Sequence, residues 1–244
     1  ENYEDAVMYL EEIVRYDPGY WVYYRDLAVA RFHLNQWTLS ESAVETARNL
    51  GMDDNQKQYV DAEIAYARED YEKAYLYAVE GVKSTDSTVA ARCVNMAVHS
   101  AREMKNYSAC IDVVSQYMDS QSIMEKDRES REFWIRVKGN LCLEAVQSGE
   151  KDYLNDAIAC YEELCQEENS GLDDQFCLES AYEYAGRYKE AETLLKDMLS
   201  EYGDQYKVYM KLAFLCVKRE NEKPKEQRDY HTLEYYYNKL EELY

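Results

Sequence analysis

Residues 178–191, with the sequence LESAYEYAGRYKEA, decide the fold of this chain. Leu178 and Ala181 have the i, i+3 spacing that places apolar side chains on one face of an α-helix. A short polar turn around Gly186 interrupts this pattern, and a second apolar pattern begins at Tyr188. The stretch therefore predicts two α-helices joined by a tight turn.

The second helix of this pair belongs to a pattern that recurs along the whole chain. An aromatic or other apolar residue is followed by a small or apolar residue at +3 and by apolar residues at +7 and +10. Seven copies are present, and three of the six spacings between their +3 residues equal 34. The +3 residues are Ala6, Ser40, Ala74, Cys110, Ala157, Ala191 and Leu233.

A further helical pattern precedes each copy except the first, as in Tyr24, Leu27 and Ala28. Each repeat unit is therefore predicted to be a helical hairpin. We expect the small +3 residues, such as Ala74 and Ala191, to be buried where the two helices of a hairpin come closest.

The composition excludes folds that need frequent tight turns. The 244 residues include 8 Gly and 2 Pro, too few for a β-sandwich or barrel. Tyr is abundant, with 26 residues against 4 Phe and 3 Trp, so half-polar rings are expected to fill much of the interior. No apolar run approaches the roughly 20 residues of a membrane span. The chain is predicted to be all-α, with about seven hairpins stacked into a right-handed superhelix, an α-solenoid.

The 34-residue period and the stretch 178–191 resemble the tetratricopeptide repeat (TPR) family. Leu178, Tyr182, Gly186, Tyr188 and Ala191 match that family's characteristic positions. The usual Gly of the first helix is replaced in three copies, by Ala28, Ala62 and Glu179. The resemblance covers nearly the whole chain and implies a protein-protein interaction module.

The repeats predict one domain over residues 1–244, with insertions near 119–131, 148–152 and 218–228. We expect the insertions to be loops or helix extensions, because stacked helix contacts leave no room for extra residues.

The first repeat is represented only by its second helix, and the sequence starts with Glu1 rather than Met. We expect the chain to be part of a longer polypeptide whose upstream residues complete this hairpin. In their absence the helix over residues 2–16 is expected to have an uncovered apolar edge, and either to fray or to cover this edge by self-association.

In TPR proteins the inner surface is built mainly from the first helices of the hairpins. The resemblance therefore implies a concave binding face with exposed aromatic anchors for a peptide or helix. Its residues would be Arg25, Val29, Phe32, Tyr59, Glu63, Tyr66, Phe176, Ser180, Glu183, Tyr184, Met210 and Phe214.

The last unit, with Lys223-Pro224 before Arg228 and the run Tyr235-Tyr236-Tyr237, also resembles the TPR tails of bacterial serine/threonine protein kinases. No kinase element is present in this sequence itself. The chain is therefore interpreted as a non-catalytic scaffold within a larger protein that can contain a kinase. The alternatives are a structural spacer or dimerisation tail, and a helical enzyme domain with an unrecognised site.

The formal charge of -21 disfavours nucleic acid and direct membrane contact as partners, because an acidic surface repels phosphate groups. A protein or peptide partner is expected instead. The seven Cys are odd in number and form no C-x-x-C pair, which favours a reducing, cytoplasmic location.

No residue pattern indicates catalysis, a metal or a cofactor. His33, His99 and His231 are scattered over three units, without the i, i+4 pairing of a helical zinc site. Cys160 and Cys165 are interpreted as packing residues.

Overall fold

The computed structural model describes residues 2–166 and 171–244, and these residues form α-helices, short 3-10 helices and turns. Two compact units are present, Glu1–Arg131 and Glu132–Tyr244, and each is described by itself. That they form one domain stays a prediction. The α-helices of the described residues are α1 (Tyr3–Tyr16), α2 (Trp21–His33), α3 (Trp37–Asn49), α4 (Asp54–Ala67), α5 (Tyr71–Gly81), α6 (Ser87–Glu103), α7 (Tyr107–Ser120), α8 (Arg128–Ser148), α9 (Leu154–Gln166), α10 (Leu172–Tyr184), α11 (Tyr188–Tyr202), α12 (Tyr206–Glu222) and α13 (His231–Leu243).

The helices pair in the order that the repeats predict. In the first unit α2 packs with α3, α4 with α5, and α6 with α7, and α1 lies against α2 as an unpaired second helix. In the second unit α10 packs with α11 and α12 with α13. The α8–α9 pair is joined by Tyr161, whose hydroxyl donates a 2.5 Å hydrogen bond to Asn140 Oδ1. The all-α helical-repeat fold is thus confirmed.

Short polar side chains determine where several helices begin. The side chain of the residue before the helix accepts a hydrogen bond from a free backbone N–H of the first turn, which stabilises the helix end. The capping residues of α1, α4, α5, α6 and α7 are Asn2, Asp53, Asp70, Asp86 and Asn106.

The turns inside four of the hairpins share one backbone conformation. The residue five positions before the +3 residue has a positive φ in four hairpins, at Asn35, Glu69, Lys105 and Gly186. Only one of the four is glycine, although this left-handed conformation is unfavourable for residues with a Cβ. The tertiary packing of the hairpin therefore imposes the turn.

The small +3 residues lie where the two helices of a hairpin approach most closely. Ala74, Ala157 and Ala191 are fully buried, as predicted. Ser40 is also buried, and its hydroxyl donates a 2.7 Å hydrogen bond to the carbonyl of Ala28 on the paired helix. A larger side chain at this position has no free volume to occupy.

Gly81 marks a second close approach, between α5 and α6. A Cβ at this residue would lie 2.4 Å from Cys93 Sγ, well inside van der Waals contact. Glycine at the end of α5 thus allows the next first helix to pack closely.

The predicted insertions fall on short 3-10 helices and on the ends of the neighbouring α-helices. Between α7 and α8 a 3-10 helix covers Ile123–Glu125, and α8 itself is long, with 21 residues. A second 3-10 helix, Lys151–Tyr153, joins α8 to α9, and a third, Lys225–Gln227, joins α12 to α13.

A buried carboxylate holds the last connection, residues 223–229, to the end of α12. Glu220 is almost fully buried, and Lys223 Nζ donates hydrogen bonds to both of its oxygens, at 2.7 and 2.9 Å. The backbone N–H of Asp229 donates a further bond of 2.9 Å to Glu220 Oε2. These hydrogen bonds lower the pKa of Glu220.

Helix α1 has one covered face and one exposed face. Val7 packs with Leu27 and Ala30 of α2. On the other side Met8 and Tyr9 are exposed, together with Ile13 and Tyr16. Of the apolar stripe that the repeat pattern predicts for this helix, Ile13 is exposed, whereas Tyr3, Ala6 and Leu10 are partly buried against α2.

Among the described helices, none combines the length and the apolar content that crossing a membrane requires. All seven cysteines are free thiols, and burial raises the pKa of Cys160 and Cys165 to about 11. Such thiols are protonated at neutral pH, which fits a packing role better than a reactive one.

The burial of Ala191 predicts a cost for any larger side chain. Ala191→Leu should lower the free energy of unfolding by about 1 to 3 kcal/mol, because the added carbons overpack the α10–α11 contact. The matched control is Ala159→Leu, at an exposed position of α9. Urea unfolding of the full chain measures both, and an equal midpoint for the two variants would contradict the repeat register.

The lowered pKa of Glu220 predicts an acid-sensitive connection. Because the ionised form is favoured in the folded state, its stabilisation is complete above the ordinary glutamate pKa. It is lost as the pH falls through the lowered pKa of the folded state. The NMR shift of the Asp229 amide should report this protonation below the ordinary glutamate pKa. Glu220→Gln should abolish that titration and Glu226→Gln, at an exposed site, should preserve it; a titration at the ordinary value would contradict the assignment.

Candidate protein-interaction surface

Two residues predicted to line an open binding face are buried in the first unit. Arg25 donates a 3.1 Å hydrogen bond from Nη1 to Gln56 Oε1 on α4. Phe32 is 3% exposed, and its ring meets the ring of Trp37 with centroids 4.5 Å apart. Arg68 lies over the Phe32 ring. The prediction that Arg25 and Phe32 lie on an open surface is wrong, because the following hairpin covers them.

The other predicted residues of the first unit are half-buried for the same reason. Val29 of α2 packs against a core cluster that contains Val60 of α4. The Tyr59 hydroxyl donates a 2.8 Å hydrogen bond to Glu63, and Arg92 of α6 lies 5.8 Å from the Tyr59 ring centroid.

Tyr66 has a corresponding contact at the other end of α4. Burial and the nearby carboxylate of Glu103 on α6 raise the pKa of the Tyr66 hydroxyl. The predicted positions of each first helix thus meet the next first helix along the chain.

The predicted residues of α10 likewise contact the next first helix along the chain, α12. Lys207 of α12 lies with Nζ 3.9 Å from the Phe176 ring centroid. Lys211 donates a 3.2 Å hydrogen bond to Ser180 Oγ. Glu183 pairs with another lysine of α12, Lys218. Of the four predicted residues on α10, Tyr184 is exposed.

Met210 and Phe214 of α12 are different, because no hairpin among residues 2–166 and 171–244 covers them. Each is 50% exposed. They lie in an open apolar groove of about 560 Å³ between α12 and α13, with one residue of α10 at its edge. The groove is lined by Glu183, Met210, Lys211, Ala213, Phe214, Val217, Tyr237 and Leu240.

The repeat register shows what kind of element fits this groove. Met210, Phe214 and Val217 occupy the positions of Arg25, Val29 and Phe32 in the α2–α3 hairpin. Tyr237 and Leu240 likewise occupy the positions of Val44 and Ala47. In the first unit this surface of α2 and α3 is covered by α4, with Val29, Val44 and Ala47 in one cluster with Val60. The groove therefore has the geometry of a binding surface for an α-helix.

Sequence reasoning found Met210, Phe214 and Glu183 but missed the second-helix side of the groove. Tyr237 and Leu240 are the +7 and +10 residues of the seventh copy, so the pattern assigned them to packing inside the array.

A buried ion pair lies beneath the groove. Glu179, at the position where the TPR family has Gly, is 0% exposed, and Lys211 Nζ donates to its Oε2 at 2.5 Å. Glu179 Oε1 is buried without a hydrogen-bond partner in the part of the chain that the structure describes. Burial raises the pKa of Glu179, although Lys211 acts in the opposite direction.

Within residues 2–166 and 171–244 no group of three His, Cys, Asp or Glu side chains is placed to hold a metal ion. His33 stacks on Tyr3, with ring centroids 4.1 Å apart. The carboxylate and the amine that line the groove, Glu183 and Lys211, are both used in ion pairs.

No protein-family model and no curated protein matches this chain. Among solved structures, a chain from the structure of Naa15/Naa10 bound to HypK-THB is similar, with 11% sequence identity and a TM-score of 0.39. The match covers 88% of the present chain and 37% of that chain. The likeness to TPR proteins rests on the repeat register and the hairpins of this chain, and the resemblance to bacterial kinase tails stays a prediction.

The Glu179–Lys211 pair predicts a pH-dependent defect. Lys211→Met should cost about 3 kcal/mol near neutral pH, because it leaves a buried carboxylate without its cation. The raised pKa means that the folded state binds the proton more tightly than the unfolded state. The loss should therefore shrink as the pH falls through the raised pKa towards the ordinary glutamate value.

Urea unfolding at neutral pH and at about pH 5 tests this dependence. The control Lys225→Met, at an exposed site, should leave the free energy of unfolding unchanged at both pH values. Adding Glu179→Gln to Lys211→Met should recover stability at neutral pH. A loss that is the same at both pH values would show that Glu179 is not the cause.

Proposed function

We propose that this chain is a non-catalytic scaffold for protein-protein interaction, and that the α12–α13 groove receives an α-helix of a partner protein. The observation that supports this most directly is the half-exposure of Met210 and Phe214, with Tyr237 also 53% exposed. Contiguous exposed apolar side chains in a concave surface are typical of protein-binding sites.

The first unit supplies a template for the bound helix. Helix α4 presents Gln56, Val60 and Ile64, at i, i+4 and i+8, to the α2–α3 hairpin. A partner helix with apolar residues at this spacing would place them along Met210 and Phe214. This is the helix-in-groove mode of recognition, in which an amphipathic helix lays its apolar face into a hydrophobic groove.

Self-association through α1 is the second candidate function. The exposed edge of α1, with Met8, Tyr9 and Ile13, favours it, because such an edge is stabilised when another helix covers it. Sedimentation velocity over a range of protein concentrations separates the two candidates, since self-association through α1 would be weakened by Met8→Ser and not by Phe214→Ser.

A designed helical peptide tests the groove. A peptide with Leu at i, i+4 and i+8 should bind the full chain, and Met210→Ser with Phe214→Ser should weaken binding about tenfold or more, because buried aromatic anchors dominate such interfaces. Fluorescence anisotropy measures the affinity, and the NMR signal of the Met210 methyl group should shift on binding while that of buried Met198 stays in place.

The control variant is Leu76→Ser, at an exposed apolar position of α5 in the first unit. It should leave the affinity unchanged. Binding that survives the Met210 and Phe214 substitutions, or a wild-type chain that binds no such peptide, would contradict the proposed function.

A further inference from the structure

Three lysines of α12 lie against α10 in the second unit. The corresponding contact of the first unit, between α2 and α4, is apolar, with Val29 and Val60 in one cluster. An apolar contact does not change with pH, whereas an ion pair lasts only while its carboxylate is ionised. The pairs between α10 and α12 are Lys207 with Phe176, Lys211 with Glu179, and Lys218 with Glu183.

Glu179 is the carboxylate of this contact that is withdrawn furthest from water. Its side chain is 0% exposed, against 17% for that of Glu183. Lys211 Nζ lies 2.5 Å from Glu179 Oε2, but Oε1 is buried without a hydrogen-bond partner in the part of the chain that the structure describes. A buried carboxylate that is only partly hydrogen-bonded favours its neutral, protonated form.

The charges around Glu179 leave Lys211 as the cation that holds it ionised. Glu183, one turn further along α10, acts against ionisation because it has the same charge. Charged side chains of the other helices that pack with α10 and α12 have different partners. Arg136 of α8 bonds to Asp174, Glu162 of α9 accepts from the Tyr182 hydroxyl, and Glu192 of α11 pairs with Lys196 and Arg219.

Lys211 can leave this contact without unfolding either helix. Its side chain is 25% exposed, and the long apolar stem of a lysine allows the ammonium group to reach water. A protonated Glu179 has no charge with which to hold this ammonium group. The remaining polar contact of Lys211, a 3.2 Å hydrogen bond to Ser180 Oγ, is to a neutral group.

The direction of the pH effect follows from the burial of Glu179. Burial raises its pKa, so the folded state takes up the proton more readily than the unfolded state does. Protonation therefore begins above pH 4.5, the ordinary glutamate value, and does not itself favour unfolding. A local change at α10 and α12 is expected in mildly acidic solution, while the rest of the chain stays folded.

We propose that Glu179 is a proton-operated switch in the contact between α10 and α12. Uptake of a proton from solvent by its carboxylate releases Lys211 to water and loosens the middle of this contact. The contacts of Lys207 and Lys218 at either end persist. This device lies between two helices of the second unit, and it does not depend on what binds to the α12–α13 groove.

Hydrogen–deuterium exchange of the full chain, followed by mass spectrometry between about pH 7 and pH 5, tests the proposal. After correction for the pH dependence of intrinsic exchange, the amides around Glu179 and Lys211 should lose protection about fivefold or more at the lower pH. The amides of α2 and α4 should keep theirs, because their contact is apolar. Far-UV circular dichroism checks that the helix content is the same at both pH values.

Three variants assign the effect to Glu179. Glu179→Gln is neutral at every pH, so α10 and α12 should have the low protection at both pH values. The matched control, Glu183→Gln, removes the neighbouring ion pair and should retain the change with pH. Glu179→Gln combined with Lys211→Met removes both charges and should show no change with pH, and it provides the test if Glu179→Gln alone does not fold.

The possible outcomes decide the proposal. A change in protection that is confined to α10 and α12, persists in Glu183→Gln and is absent from the Glu179 variants supports it. A change that survives in Glu179→Gln, or that disappears in Glu183→Gln, would assign the proton to another group and overturn it. Equal protection of the wild-type chain at the two pH values, or a loss that extends equally to α2 and α4, would also overturn it.

Discussion

The packing of each first helix onto the hairpin before it is the contact on which the rest of this structure depends. A single hairpin cannot bury both faces of its first helix, so the second face must be covered by the next unit. Val60 of α4, in one cluster with Val29 of α2 and Ala47 of α3, shows this contact in the first unit. The same requirement explains the apolar groove on the α12–α13 hairpin, which no further hairpin among the described residues covers.

Close approach at the hairpin contacts requires small side chains, and the chain satisfies this in two ways. Inside a hairpin Ala74, Ala157 and Ala191 leave no gap between the helices. Between α5 and α6 the missing Cβ of Gly81 accommodates Cys93. These positions are filled to van der Waals contact and so fix the distance between the helices. The larger side chains around them must fit within this distance.

Two buried glutamates show that the cost of burying a charge depends on how completely it is hydrogen-bonded. Glu220 receives bonds from Lys223 and from the Asp229 amide, and its pKa is lowered. Glu179 has one lysine and an oxygen without a partner among the described residues, and its pKa is raised. The first carboxylate secures the α12–α13 connection. The second pairs with Lys211 beneath the groove, although burial raises its pKa.

The amino-acid sequence by itself determined the helices, their pairing and the buried small positions. These features are local or periodic, since turn positions, apolar spacing and the 34-residue recurrence can be read without knowing which units touch. The binding face was only partly predictable. Met210 is exposed as expected, whereas Arg25, at the equivalent position of the α2–α3 hairpin, is buried. Equivalent residues in a repeat share the same local sequence pattern, and only the helix that packs on them in the tertiary structure, as α4 packs on α2, decides whether they become core.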